Sequence, residues 1–310
     1  MFEVKRIGAA ILDFVTDPLG TRSINRKLSE IEKKLFWIDY FSNGGRAVYV
    51  GNNRVLVKCI IAGAQVAYYV EADDRLLAPW FIVSGAYETE LTSFFVSSLK
   101  PDSHCLDVGS NFGYFTCLMG RFCPTGKIIG IEPDLHVMQL ARDNVHINGF
   151  HGTSEVILAA ASDRDGQISL HRRKTRSGNT SITKASPEFL ETLGETEGEE
   201  FSVKAIRIDS LLEKMNGRVD FIKIDVEGAE PLAMRGAEQT IALNPQLQIV
   251  MEWSPGQIKG AGFDVRKFLA DLERQGLVCA QLTASGPQPI SFADLEHLPY
   301  AAGVLLHRKS

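Results

Sequence analysis

His104-Cys105-Leu106-Asp107-Val108-Gly109-Ser110-Asn111-Phe112-Gly113-Tyr114 reads as a buried strand that hands over to a helix through a tight turn. An apolar run ends in a carboxylate, two glycines flank a short polar segment, and helix-forming sequence resumes at Tyr114. Glycine at 109 permits a positive φ and removes the Cβ where a ligand would approach the backbone. Gly113 lets the helix pack closely on its strand.

Outward from this turn, strand and helix patterns alternate. Lys127–Glu132 is a second strand, 134–148 an amphipathic helix closed by Asn148-Gly149, and 155–161 a third strand. Residues 219–225 and 247–253 are a fourth and fifth strand, each ending in a carboxylate, and 264–275 is a helix. Residues 277–282 and 302–307 form a terminal antiparallel pair. The fold class expected is α/β, a doubly wound, mostly parallel sheet. Residues 167–210 interrupt the alternation. Two strand-like runs there flank a basic cluster (His171 to Arg176), a Ser/Thr-rich stretch and an acidic one, readable as a solvated loop or as a flap that meets a phosphate.

The G-x-G-x-x-G spacing of a dinucleotide site is absent, because Asp107 stands in place of its first glycine. A carboxylate there repels a pyrophosphate and suits a ligand with a cationic end and no phosphate, a description S-adenosylmethionine fits. An ordinary tight βα turn also has this pattern. Glu132 lies nineteen residues beyond Gly113 at the end of the second strand, where a ribose diol binds in doubly wound sheets. Small residues end the third strand at Ala161 and leave room for a flat ring, with Ser162 or Asp163 placed for an adenine amino group. Tyr87 and Glu88 either border the cleft or start the following helix. Asp225, Glu227 and Glu230 crowd the end of the fourth strand, with Glu227 and Glu230 expected on one helix face. Crowding raises at least one carboxyl pKa and poises a proton acceptor; helix capping is the plainer reading.

Upstream, Ile24, Leu28, Ile31, Leu35 and Ile38 make a short heptad seam, fitting either an oligomerising helix or one packed on its own domain. Residues 46–70 read as a β-hairpin plus a strand. The expected division is therefore an accessory region at 1–80 and a main domain at 81–310 with the 167–210 insertion. The chain of 310 residues is 45% hydrophobic and 23% charged with net charge −5, which argues against a general nucleic-acid binder. Five dispersed cysteines read as reduced core thiols, and neither a leader-like apolar segment nor a membrane-length run is present, so a cytoplasmic protein is expected.

Together these residues resemble a known family. Gly85…Tyr87-Glu88, Leu106 to Tyr114, Gly130-Ile131-Glu132-Pro133, Ala161-Ser162-Asp163…Gly166 and above all Ile222-Lys223-Ile224-Asp225-Val226-Glu227-Gly228-Ala229-Glu230 are similar to the FkbM-type methyltransferases, class I S-adenosylmethionine-dependent enzymes. The family usually has Ala where Ser110 stands. The resemblance covers about Ser84 to His307 and says nothing of residues 1–80. It implies a seven-stranded sheet with an antiparallel last strand. It also implies S-adenosylmethionine bound by Glu88, Asp107, Gly109, Ser110, Asn111, Phe112, Glu132, Pro133, Ala161, Ser162, Asp163 and Asp225. The implied reaction is O-methylation, most often of a sugar in a glycan or polysaccharide intermediate; a small natural product and a non-catalytic scaffold are the alternatives. Asp225, Glu227 and Glu252, at strand ends, are the candidate bases. The same carboxylates suit a divalent metal, although none is expected.

Overall fold

The computed structural model describes residues 27–31, 46–74, 77–172, 180–183 and 198–309. The chain divides into two compact units, Met1–Arg46 and Ala47–Ser310. In the first, 27–31 is helical, with Leu28 and Ile31 of the heptad seam exposed. The other heptad positions lie outside the described residues.

The second unit opens with an antiparallel sheet of β1 (Ala47–Gly51), β2 (Arg54–Ile61) and β3 (Ala64–Glu71), the expected hairpin with one further strand. Helices α1 (Leu77–Ser84) and α2 (Thr89–Ser98) lead to β4 (His104–Val108), α3 (Tyr114–Phe122), β5 (Lys127–Glu132), α4 (Leu135–Ile147) and β6 (Ser154–Leu158). A small sheet of β7 (Ala160–Ala161), β8 (Gly166–Arg172) and β9 (Glu199–Ile206) interrupts. The alternation resumes with β10 (Phe221–Ile224), α5 (Glu230–Arg235), α6 (Glu238–Leu243), β11 (Gln248–Trp253), α7 (Pro255–Gly260) and α8 (Val265–Arg274). It ends in β12 (Leu277–Thr283), β13 (Gly286–Ile290), α9 (Phe292–His297) and β14 (Ala301–Arg308).

The large sheet runs β13-β12-β14-β11-β10-β4-β5-β6. Strands β11, β10, β4, β5 and β6 are parallel, and β14 enters antiparallel between β11 and β12. This is the expected doubly wound α/β fold with one strand more than the seven anticipated. The extra strand, β13, pairs antiparallel with β12 at the sheet edge. Pro287 and Pro289 lack the N–H groups an interior strand must donate, which confines β13 to an edge and hides it from pattern reading. The third strand also differs: β6 stops at Leu158, and the chain leaves β5 so that Ala160 and Ala161 pair parallel with β9.

Helices cover both faces of the sheet, which is why its strands read as continuous apolar runs. Leu106, Val108, Ile222, Ile224, Ile249 and Met251 point into one core, while Cys105, Phe221 and Val250 point into the other. That second core is completed by Val57, Val66 and Tyr68 of the three-stranded sheet, packed with Phe112, Tyr114 and Phe115. The division drawn after residue 80 therefore does not follow the packing, because the β layer shares a core with the strands beside it. Polar contacts reinforce the joint. Asn144 of α4 accepts from Tyr69 N at 2.6 Å and donates to Tyr69 O at 2.9 Å, and Asn148 does the same for Ala67. Asn144 also donates to Phe112 O at 2.7 Å, so one amide ties β3, α4 and the turn after β4 together. No helix among the described residues is long and apolar enough to cross a membrane.

Candidate active site

A cavity of about 520 Å³ opens at the carboxyl ends of β5, β4, β10 and β11, inside the span of about 300–1,000 Å³ usual for small-molecule sites. On its β5 side the lining is largely backbone and small side chains. Gly109 has φ +79, and a Cβ there would fall 1.8 Å from the Asp225 carbonyl oxygen, so glycine is required both by conformation and by contact. Asn111 follows with φ +49, and its N–H donates to Glu132 Oε2 at 2.9 Å, while Asp134 N donates to Oε1 at 3.0 Å. Burial nevertheless pushes the Glu132 carboxyl up to about 8, since two N–H bonds do not replace the lost water. Ala159, Ala160 and Ala161 form a flat wall, facing Ile168 and Leu170 of β8 and Ile182.

The β11 side is made of side chains. Lys223 and Asp107 are register partners on adjacent strands, both buried, on the face covered by α3. Lys223 Nζ lies 2.9 Å from Asp225 Oδ2 and 4.9 Å from the Phe115 ring centroid. Burial works against its charge, but Asp225, Glu88 and Asp107 outweigh burial and hold the ammonium protonated. Glu88 sits in the left-handed region (φ 43) before α2 and makes no capping bond; its carboxylate turns to the cavity and takes the Tyr87 hydroxyl. Burial first, then Asp225, raises it to about 7, against the pull of Lys223. Glu252 is pushed up to about 9 by burial and by the charges of Asp225, Glu227 and Glu230, and it accepts from the Tyr300 hydroxyl. Glu227 accepts from Gln257 Nε2. Three buried acceptor atoms on lining residues have no partner: Glu88 Oε2, Glu252 Oε2 and Gln257 Oε1.

Of the residues singled out in the sequence, Glu88, Gly109, Asn111, Glu132 and Pro133 line the cavity, as do Ala161, Asp225, Glu227 and Glu252. Five others do not. Asp107 lies fully buried beneath the turn, accepting from Thr116 Oγ1 at 2.6 Å. Ser110 is buried behind the turn, and Phe112 packs among Tyr68, Phe81 and Tyr114. Ser162 and Asp163 lie past the point where the chain leaves the large sheet, Ser162 bonded to β9 through Ile206 O. Neither lines the cavity, whereas Ala159, Ala160 and Ala161 do. Glu227 and Glu230 do not share a helix face. Glu227 is in the loop at φ +52, while Glu230 starts α5 and folds back to accept from Val226 N and Gly228 N.

Sequence reading missed Lys223, Gln257, Tyr300 and Trp80. The signal for Lys223 is one charge inside an apolar strand, Ile222-Lys223-Ile224. The other three carry no local signal. In the basic cluster, Arg172 is committed to Asp134, the cap of α4, and to Glu199 at 3.6 Å, so it is not presented to a phosphate; Arg173 to Arg176 lie outside the described residues. Among the described residues no group of three or more His, Cys, Asp or Glu side chains is arranged around a metal position.

The site can be set beside known proteins. The methyltransferase FkbM domain matches residues 107–276, more than half of the chain. Methyltransferase sdnD of Sordaria araneosa is 22% identical over 205 residues, covering 57% of this chain and 79% of its own. Methyltransferase 1 of Beauveria bassiana is 26% identical over 155 residues, covering 46% of this chain and 61% of its own. Among solved structures, the O-methyltransferase TomG of Streptomyces achromogenes aligns with a TM-score of 0.42 at 12% identity, over 77% of this chain and 88% of that one. An O-methyltransferase from Bacillus cereus aligns at 0.39 and 15% identity, over 72% and 82%. The glycine turn, the strand-end Glu132 and the Asp225–Glu230 loop all fall within the matched domain, and the chain belongs to the FkbM methyltransferase family.

Proposed function

We propose that this methyltransferase uses S-adenosylmethionine to methylate a hydroxyl oxygen, in a sugar of a glycan or polysaccharide intermediate. The observation that carries the reading is one cavity that joins the Gly109–Glu132 turn to three carboxylates on the β10 and β11 strand ends. Glu132 and Glu252 stand three strands apart, roughly 14 Å at the usual strand spacing, enough for a nucleoside and a reacting centre. The fit to the cofactor rests on the chain's own chemistry. Asp74, Glu88, Glu132, Asp225, Glu227 and Glu252 line the cavity, and no Lys or Arg does so among the described residues. Such a lining favours a ligand with ammonium and sulfonium groups over a pyrophosphate. Glu132 would hold the ribose diol, Gly109 would leave its backbone open to the ligand, and Ala159 to Ala161 would lie flat against the base.

When bound, S-adenosylmethionine supplies an electrophilic methyl group. The chain's residues must then bring an alcohol in line with it and take up the proton. Asp225 is the best placed of the three candidate bases. Its Oδ2 is held by Lys223, which orients the other oxygen. Glu252, raised to about 9, is protonated at neutral pH and can donate a hydrogen bond but not remove a proton. Glu227 orients the loop through Gln257. The proposal is tested by calorimetric titration with S-adenosylmethionine followed by labelled methyl transfer to glycan fractions. Binding without transfer to any hydroxyl would reject the acceptor reading, and absence of binding would favour a scaffold.

A further inference from the structure

Three buried oxygens on the β11 side of the cavity lack a hydrogen-bond partner, and their arrangement bears on which acceptor can enter. Glu88 Oε2, Glu252 Oε2 and Gln257 Oε1 are buried, unpartnered and on lining residues. The hydroxyls of Tyr87 and Tyr300 lie beside Glu88 and Glu252. Gln257 gives one of its two amide N–H groups to Glu227. Lys223, the cation in reach among the described residues, is only 4% exposed, is paired with Asp225 and lies over Phe115, and it is not part of the cavity lining. No Lys, Arg or His lines the cavity among the described residues.

We infer that this part of the cavity selects its acceptor by charge, taking an uncharged or amine-bearing polyol and refusing one that carries a phosphate or carboxylate near the methylated hydroxyl. The inference rests on the donor reading above and deepens it. A polyol brings several O–H donors to three oxygens that lack them, and a protonated amine adds an attractive charge. Among the described lining residues a phosphate would meet carboxyl groups and no side-chain cation. Burial, which keeps Glu252 and part of Glu88 protonated, reduces the repulsion without supplying a cation. One consequence concerns reaction order. Activated sugars carry phosphate at the anomeric carbon, so the ring methylated here has left such a carrier or lies beyond the first sugar attached to it. The class of reaction that supplies the substrate is therefore glycosyl transfer off the phosphate.

The test uses the full chain. A first titration measures S-adenosylhomocysteine binding; its failure would overturn the donor reading and the inference with it. The saturated protein is then titrated at millimolar concentration with methyl glucoside, methyl glucosaminide and methyl glucoside 6-phosphate, read by saturation-transfer NMR. The aminated and neutral sugars are expected to bind, and the phosphate ester at least about tenfold more weakly. In Glu252→Gln combined with Glu88→Gln, the advantage of the aminated sugar over methyl glucoside should shrink. Equal or tighter binding of the phosphate ester, or binding of none of the three sugars to the saturated protein, would overturn the charge selection alone.

Discussion

Along the β5 side the cavity is lined by main chain, glycine and alanine, and its hydrogen bonds run between backbone N–H groups and one glutamate. Along the β11 side it is lined by glutamates, tyrosines and an amide drawn from the approach to α2, β11, α7 and the approach to β14, over one buried lysine. The first kind of surface is rigid, since moving it means moving the sheet. The second can change with each side chain while the fold stays the same. A shared donor and variable acceptors call for that division, with precision kept in the backbone and specificity placed on side chains.

Substitutions can break or sharpen this contrast. The largest effect is expected on the side-chain surface. Asp225→Asn should lower turnover by about 10²- to 10⁴-fold with cofactor affinity within about threefold, measured by single-turnover methyl transfer and calorimetry. Glu252→Gln, an amide in place of an already protonated acid, should lose far less. A rate unchanged in both Asp225→Asn and Glu227→Gln would remove the general-base role from this loop. On the backbone surface, Gly109→Ala forces a Cβ onto the Asp225 carbonyl at an unfavourable φ. It should cost about 3 kcal/mol or more of stability and abolish cofactor binding, read from thermal melts with and without ligand. Glu132→Gln should weaken S-adenosylmethionine binding by about tenfold, the value of one hydrogen bond, and leave the single-turnover rate at saturation nearly unchanged.

The smallest effect is a pH dependence. Glu132 and Glu252 are raised in the fold to about 8 and about 9, from 4.5. The folded state binds their protons more tightly than the unfolded chain does. Their favourable contribution is thus complete below about pH 4.5 and is lost as pH rises through 8 and 9. Melting temperature of the ligand-free chain should fall between about pH 6 and 9.5, and Glu252→Gln should flatten the upper part of that fall. A profile flat in the parent chain would show that neither carboxyl is held protonated.

How much of this is legible in the sequence follows the same division. The β5 side can be read because a backbone that approaches a ligand demands glycine at fixed spacing, and a strand-end carboxylate at the right interval completes it. Asp107 belongs to that pattern but acts from below, taking Thr116 and facing Lys223 across the strand pair. A residue can thus mark a turn without touching its ligand. Ser162 and Asp163 are misplaced by pattern reading because parallel pairing of β7 with β9 is a long-range event with no local trace. Tyr300 and Gln257 reach the cavity from distant segments for the same reason. Lys223 does leave a trace, a lone charge in an apolar strand, whose meaning depends on knowing that both faces of that strand are buried.

The amides of Asn144 and Asn148 remain to be followed outward. Each presents one donor and one acceptor to a single residue of β3, the pairing that a neighbouring strand would supply, so one face of α4 closes the edge of the small sheet. Asn144 passes the same connection to Phe112, inside the turn after β4. The domain match begins at residue 107, yet a fragment cut there would strand both amides and strip the packing from Phe112. A fragment that keeps these contacts has to include β3, and the boundary set by family likeness is not a boundary for excision.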